Sequence, residues 1–104
     1  MQKKITDKKT LLEQLSLHKK EIRAFGVSRL RLFGSFAADA NVHTDSDVDL
    51  LVDFEPEKKT YDNFIDLSFF LENLLGRKVE LITTESLSKH IGPHILKHAQ
   101  YVNL

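Results

Sequence analysis

The segment Asp47-Val48-Asp49-Leu50-Leu51-Val52 constrains the fold more tightly than any other stretch of the chain. Successive side chains of a strand point to opposite faces, so Asp47 and Asp49 share one face while Val48, Leu50 and Val52 take the other. A fold built on this segment sends its aliphatic side chains into a core and leaves two carboxylates together where the strand begins. Adjacent anions repel, and a divalent cation relieves that repulsion.

Shortly upstream, Gly34 and Ser35 close another apolar run, Leu30-Arg31-Leu32-Phe33. Residues 27–33 read as a first strand, with Leu30 and Leu32 on one face and Arg29, Arg31 and Phe33 on the other. Gly34-Ser35 is its exit turn. Residues 36–46 carry small and polar side chains and predict a short helix followed by a loop, after which the second strand runs over about 47–54 and stops before Pro56. A third strand is expected over 79–83, where Glu80 lies opposite Val79 and Leu81.

Helices fill the intervals. From a cap at Thr6 or Asp7, Leu11, Leu15, His18, Ile22 and Phe25 recur at helical spacing as far as Gly26, which predicts one amphipathic helix. Thr60 caps a second helix ending at Leu75, with Gly76 as its stop and Arg77 and Lys78 near the negative end of its dipole. Its apolar stripe is too wide for one buried face. Phe64, Leu67, Leu71, Leu74 and Leu75 suffice to cover a sheet, so the extension through Tyr61, Ile65, Phe69 and Phe70 suggests a protein contact. A short helix is expected from Thr84 or Glu85 to Gly92, and another from Pro93 to near His98. The order predicts an α/β (α+β) fold, a small mixed sheet with helices packed on one face.

At 104 residues and 12.0 kDa the chain fits one domain spanning residues 1–104. Lys+Arg and Asp+Glu balance at 15 each, so no global field attracts nucleic acid or an anionic membrane, and stable nucleic-acid binding is not expected. The absence of Cys excludes disulfides and thiolate metal sites. No apolar run resembles a signal core or a membrane span, so a cytoplasmic location is expected.

The acidic pair sets the chemistry. Mg²⁺ takes oxygen ligands, keeps several waters, and binds one or two carboxylates together with substrate phosphates. Asp47 and Asp49 offer such a site, Ser35 can donate its hydroxyl to a phosphate, and Gly34 lets the backbone come close to the anion. If strands two and three pair, Glu80 joins the aspartates, either activating an attacking hydroxyl or completing a second metal site. Such a site clamps a nucleoside triphosphate for displacement at its α-phosphorus.

Gly34-Ser35-Phe36-Ala37, a spacer and Ser46-Asp47-Val48-Asp49-Leu50-Leu51-Val52 resemble the minimal nucleotidyltransferases of the DNA polymerase beta-like superfamily, whose hallmark is Gly-Ser followed by Asp-x-Asp. Lys78-Val79-Glu80-Leu81-Ile82-Thr83 is similar to the later strand that supplies a third carboxylate, so the likeness covers residues 27–83. The resemblance implies Asp47, Asp49 and Glu80 as catalytic metal ligands and Gly34 and Ser35 as the nucleotide-binding turn. It further implies Mg²⁺ as cofactor, ATP as substrate, and transfer of AMP to a tyrosine of a partner toxin of the HEPN ribonuclease type, the chain acting as antitoxin in a heteromeric complex. Two departures from the family pattern stand out: Ala38 and Asp39 stand where Arg and Gly are common, and Glu80 replaces the commoner Asp.

Other residues have simpler explanations. His90, His94 and His98 recur every fourth residue, but Pro93 with Gly92 separates His90 from the helix bearing the other two, which favours solvated imidazoles over a zinc site. His18 reads as a core-edge residue and His43 as a loop residue. Arg29 and Arg31 could face the acidic cluster or a triphosphate. Tyr61 and Tyr101 fit packing or interface roles. Two readings stand beside the leading one: a catalytically degenerate binding module that occludes a partner, and a transferase acting on small molecules.

Overall fold

Asp7 opens the first helix by accepting a hydrogen bond from the Thr10 amide at 3.0 Å. In the computed structural model, which describes residues 5–38 and 47–104 apart from the Ser35 side chain, this helix is α1 (Lys8–Leu17). The expected single helix is in fact two, because His18 leaves helical geometry at φ −102°, ψ 23° and α2 (Lys19–Ala24) starts anew. No glycine or proline marks this break. Packing decides it: beyond the bend Ile22 is fully buried, and the Phe25 ring meets Phe70 at 5.5 Å between centroids.

Gly26 follows, and β1 (Val27–Phe33) runs from it with the expected face assignment. A short α3 (Gly34–Ala38) begins at Gly34 itself, so Gly34-Ser35 forms the first turn of that helix instead of a separate bend before it. β2 is Val48–Phe54, and a single 3₁₀ turn leads to α4 (Tyr61–Leu75). The Thr60 hydroxyl accepts from the Asn63 amide at 3.1 Å to cap α4, and Gly76 ends it at φ +64°. β3 is Val79–Thr83, α5 is Gly92–His98 and β4 is Gln100–Tyr101.

The four strands form one mixed sheet in the order β3-β2-β1-β4. β1 runs antiparallel to β2 and β4, whereas β2 and β3 are parallel, as the α4 crossover between them requires. Leu30, Leu32, Val48, Leu50, Val52, Val79 and Leu81 of the sheet share one buried cluster with Leu11, Leu15 and Ile22 of α1 and α2 and Leu67, Leu71, Leu74 and Leu75 of α4. This mixed α/β architecture agrees with the expected fold class, and it leaves the acidic face of the sheet outside the main core.

Three local expectations change. β4 has no apolar alternation to announce it and is held by backbone pairing, with the Val102 amide donating to the Leu30 carbonyl at 2.9 Å. The helix expected from Thr84 or Glu85 shrinks to one 3₁₀ turn, because Ser86 donates to the Thr83 carbonyl at 2.8 Å and Ser88 accepts from the Ile91 amide at 3.0 Å, diverting backbone groups a helix would need. Phe70 turns inward against Phe25 and His18, which narrows the surplus stripe of α4 to Tyr61, Ile65 and Phe69.

Candidate active site

The parallel register places Asp49 of β2 directly beside Glu80 of β3, and the antiparallel register places it opposite Phe33 of β1. Asp47 immediately precedes β2, where the Val48 amide donates to the Lys78 carbonyl at 2.9 Å and locks the two strand starts together. Asp49 and Glu80 are hydrogen-bonded to each other through their side chains. Half-buried, and facing the negative charges of Glu80 and Asp47, the Asp49 carboxyl is pushed up to about 6, with desolvation the largest cause. Asp47 adds its charge from one step further off.

Gly34 completes the floor of the site. Its φ is +75°, and a Cβ at that position would fall 2.2 Å from Asp49 Oδ2. Only glycine lets the backbone pass this close to the carboxylate. The strand β1, the first turn of α3 and the start of β2 therefore meet at one end of the sheet, with Glu80 on the far side of Asp49. The Ser35 side chain, Asp39, His43 and Ser46 lie outside the described residues.

Residues 9–102 match the nucleotidyltransferase domain family. The chain belongs to that family. The protein adenylyltransferase MntA of Thermococcus cleftensis is 44% identical over 89 residues, which cover 85% of this chain and 88% of the relative. A solved minimal nucleotidyltransferase superposes with a TM-score of 0.78 at 32% identity, covering 89% of this chain and 93% of its own. A crystal structure of a toxin–antitoxin with AMP-PNP shares the fold, with a TM-score of 0.65 at 18% identity over 84% of this chain and 71% of its own. The likeness read from Gly-Ser and Asp-x-Asp is thereby established as family membership, and the chain is a nucleotidyltransferase.

Within this nucleotidyltransferase the remaining charges of the acidic face are spoken for. Arg29 and Arg31 turn to Asp53 at 3.5 and 3.8 Å, and the Arg31 guanidinium also lies 4.7 Å from the centre of the Tyr101 ring. Neither arginine is paired with Asp49 or Glu80. His94 and His98 stand together on α5, their rings 5.0 Å apart, and with Ile95 they wall a cleft against Phe33 and Gly34. His90 is exposed in the turn before α5, and His18 is paired with Glu21 at 2.7 Å.

Among the described residues no group of three or more His, Asp or Glu side chains is gathered as a ready metal cage. The pair Asp49–Glu80 with Asp47 close by is nevertheless the donor set a hard cation uses, all oxygen, with solvent and phosphate supplying the remaining ligands. The residues present therefore fit Mg²⁺.

One structurally important residue escaped the sequence reading. Arg77 is buried, stacks 5.0 Å from the Phe36 ring centre and donates to the Ile5 carbonyl, tying α3 to the start of the chain.

Proposed function

We propose that this nucleotidyltransferase moves AMP from ATP to a tyrosine hydroxyl of a partner toxin of the HEPN ribonuclease type, and so neutralises it as an antitoxin. The observation that carries this reading is the meeting of the Asp49 and Glu80 side chains, with the bare α-carbon of Gly34 against Asp49. In this arrangement Asp47 and Asp49 would hold Mg²⁺, with Glu80 beside them as the base, and the Gly34-Ser35 turn would receive the phosphates. Mg²⁺ supplies charge neutralisation for the triphosphate and for the pyrophosphate that leaves. The acceptor oxygen forms a bond to the α-phosphorus as the bond to pyrophosphate breaks, and the hydroxyl proton passes to the carboxylate at Glu80. Support comes from the adenylyltransferase activity named for the 44% identical relative and from the toxin–antitoxin of like fold with AMP-PNP.

Tyr61, Ile65 and Phe69 of α4 supply the contact with the partner. Tyr61 and Phe69 are 78% and 61% exposed and stand two turns apart on one side of the helix with Ile65 between them. The same ridge favours a second reading, in which the chain inhibits its partner by covering it without chemistry. Intact-mass measurement separates the two. Incubated with ATP, Mg²⁺ and the co-produced toxin, the wild-type chain adds the mass of AMP to the toxin, and a variant with Asp47→Asn and Asp49→Asn does not. Neutralisation of the toxin without any mass change would replace transfer by occlusion.

A further inference from the structure

We infer that the cleft between α5 and the Phe33–Gly34 corner, walled by His94, Ile95 and His98, is the subsite that holds the nucleobase of the nucleoside triphosphate. The inference rests on the nucleotide reading above and deepens it.

Position is the first argument. Reading across the strand ends in sheet order, Glu80 of β3 comes first, then Asp49 of β2, then Phe33 and Gly34 at the end of β1, and then α5, which leads directly into β4 on the far edge. Asp49 thus has an open flank at Glu80 and a walled flank at the cleft. Gly34 belongs to both the carboxylate site and the cleft, since its α-carbon faces Asp49 Oδ2 while the same residue lines the cavity. A triphosphate received at the Gly34-Ser35 turn has the rest of its nucleotide within reach of the cleft, whereas an acceptor hydroxyl approaches from the Glu80 flank.

Size and chemistry are the second. The cavity is about 260 Å³, below the roughly 300–1,000 Å³ of sites that enclose a whole drug-sized ligand. It suits one ring system rather than an entire nucleotide. Phe33 and Ile95 give it apolar surface, and the two imidazoles, edge-on to each other with planes at 67°, carry ring nitrogens of the kind that bond the edge of a base. Among the described residues neither Lys nor Arg lines it, which disfavours the β- and γ-phosphates as its occupant.

The test compares ATP with inorganic tripolyphosphate, each titrated calorimetrically with Mg²⁺ present into the full chain. Two variants are used, Ile95→Trp to fill the cleft and the double change His94→Ala with His98→Ala to strip its polar edge. The histidines are exposed, so the double variant keeps its fold even if the tryptophan does not. Both variants should weaken ATP by about tenfold, the scale of one base–aromatic contact, and leave tripolyphosphate affinity unchanged. Equal weakening of both ligands would assign the cleft to phosphate, and unaltered ATP affinity with slowed AMP transfer would assign it to the acceptor; either overturns the inference. Wild-type chain that binds neither ligand would overturn the nucleotide reading, and this subsite with it.

Discussion

Asp49 and Asp53 occupy the same strand and the same face, yet their surroundings are opposite. Asp53 has two arginines within 3.8 Å, with its own side chain 15% exposed and that of Arg31 13% exposed. Asp49 faces two carboxylates and, among the described residues, is paired with no cation, and its carboxyl is pushed up to about 6. A neutralised, nearly buried acid serves the fold. An acid left among like charges costs the fold stability, and a bound cation would relieve it. The sequence Asp-x-Asp-x-x-x-Asp contains both kinds, and only their neighbours distinguish them.

The sharpest way to break the contrast is to remove each charge in turn. Asp49→Asn should reduce AMP transfer by more than the ~10–100-fold that loss of an outer-sphere partner costs a metal site, while Asp53→Asn, measured in the same single-turnover assay with folded protein, should leave transfer nearly intact. Equal losses would erase the distinction. Next in size is Gly34→Ala, whose methyl would meet Asp49 Oδ2 at 2.2 Å on a backbone at φ +75°. Displacing a reacting group by about 1 Å costs on the order of 100-fold, so transfer should fall steeply while circular dichroism still reports a folded chain.

Stability should respond with opposite signs. Asp53→Asn should destabilise the protein by about 1–3 kcal/mol in denaturant unfolding, because Arg31 loses its charged partner in a nearly buried setting. Asp49→Asn should raise the midpoint at neutral pH, since it removes an uncompensated charge. The smallest effect is the pH dependence behind that gain. The native state keeps the Asp49 proton up to about 6, whereas an unperturbed carboxyl releases it near 3.8, so the folded form binds more protons between these values. Stability without metal therefore falls as pH rises from 3.8 through about 6, the unfolding temperature tracking it, and added Mg²⁺ should flatten the decline.

Much of this was legible in the residues. The alternation of Val48, Leu50 and Val52 against Asp47 and Asp49 is a period-2 pattern that tertiary packing has no reason to override, and β1, β2, β3 and α4 fall where their patterns and caps put them. Pairing Glu80 with Asp49 depended on a sheet order that no local pattern encodes, and the parallel register supplies it. Two elements were hidden for physical reasons. β4 is a backbone pairing two residues long, without a side-chain signature, and the bend at His18 arises from the fit of Ile22 and Phe25 against other elements. The partnership of Arg29 and Arg31 with Asp53 was likewise invisible, since three charged residues on two strands admit several pairings until the register between those strands is fixed.

Asp49 and Glu80 are neighbours only because β3 docks alongside β2 in the same direction, after the chain has wound through the whole of α4. During synthesis β1 and β2 can meet while β3 is still inside the ribosome, leaving half of an acid pair exposed to the cell. On the role proposed for Glu80, competence arises only once β3 has docked, and a fragment that stops short of Glu80 would carry the Gly-Ser and Asp-x-Asp signature without its third carboxylate.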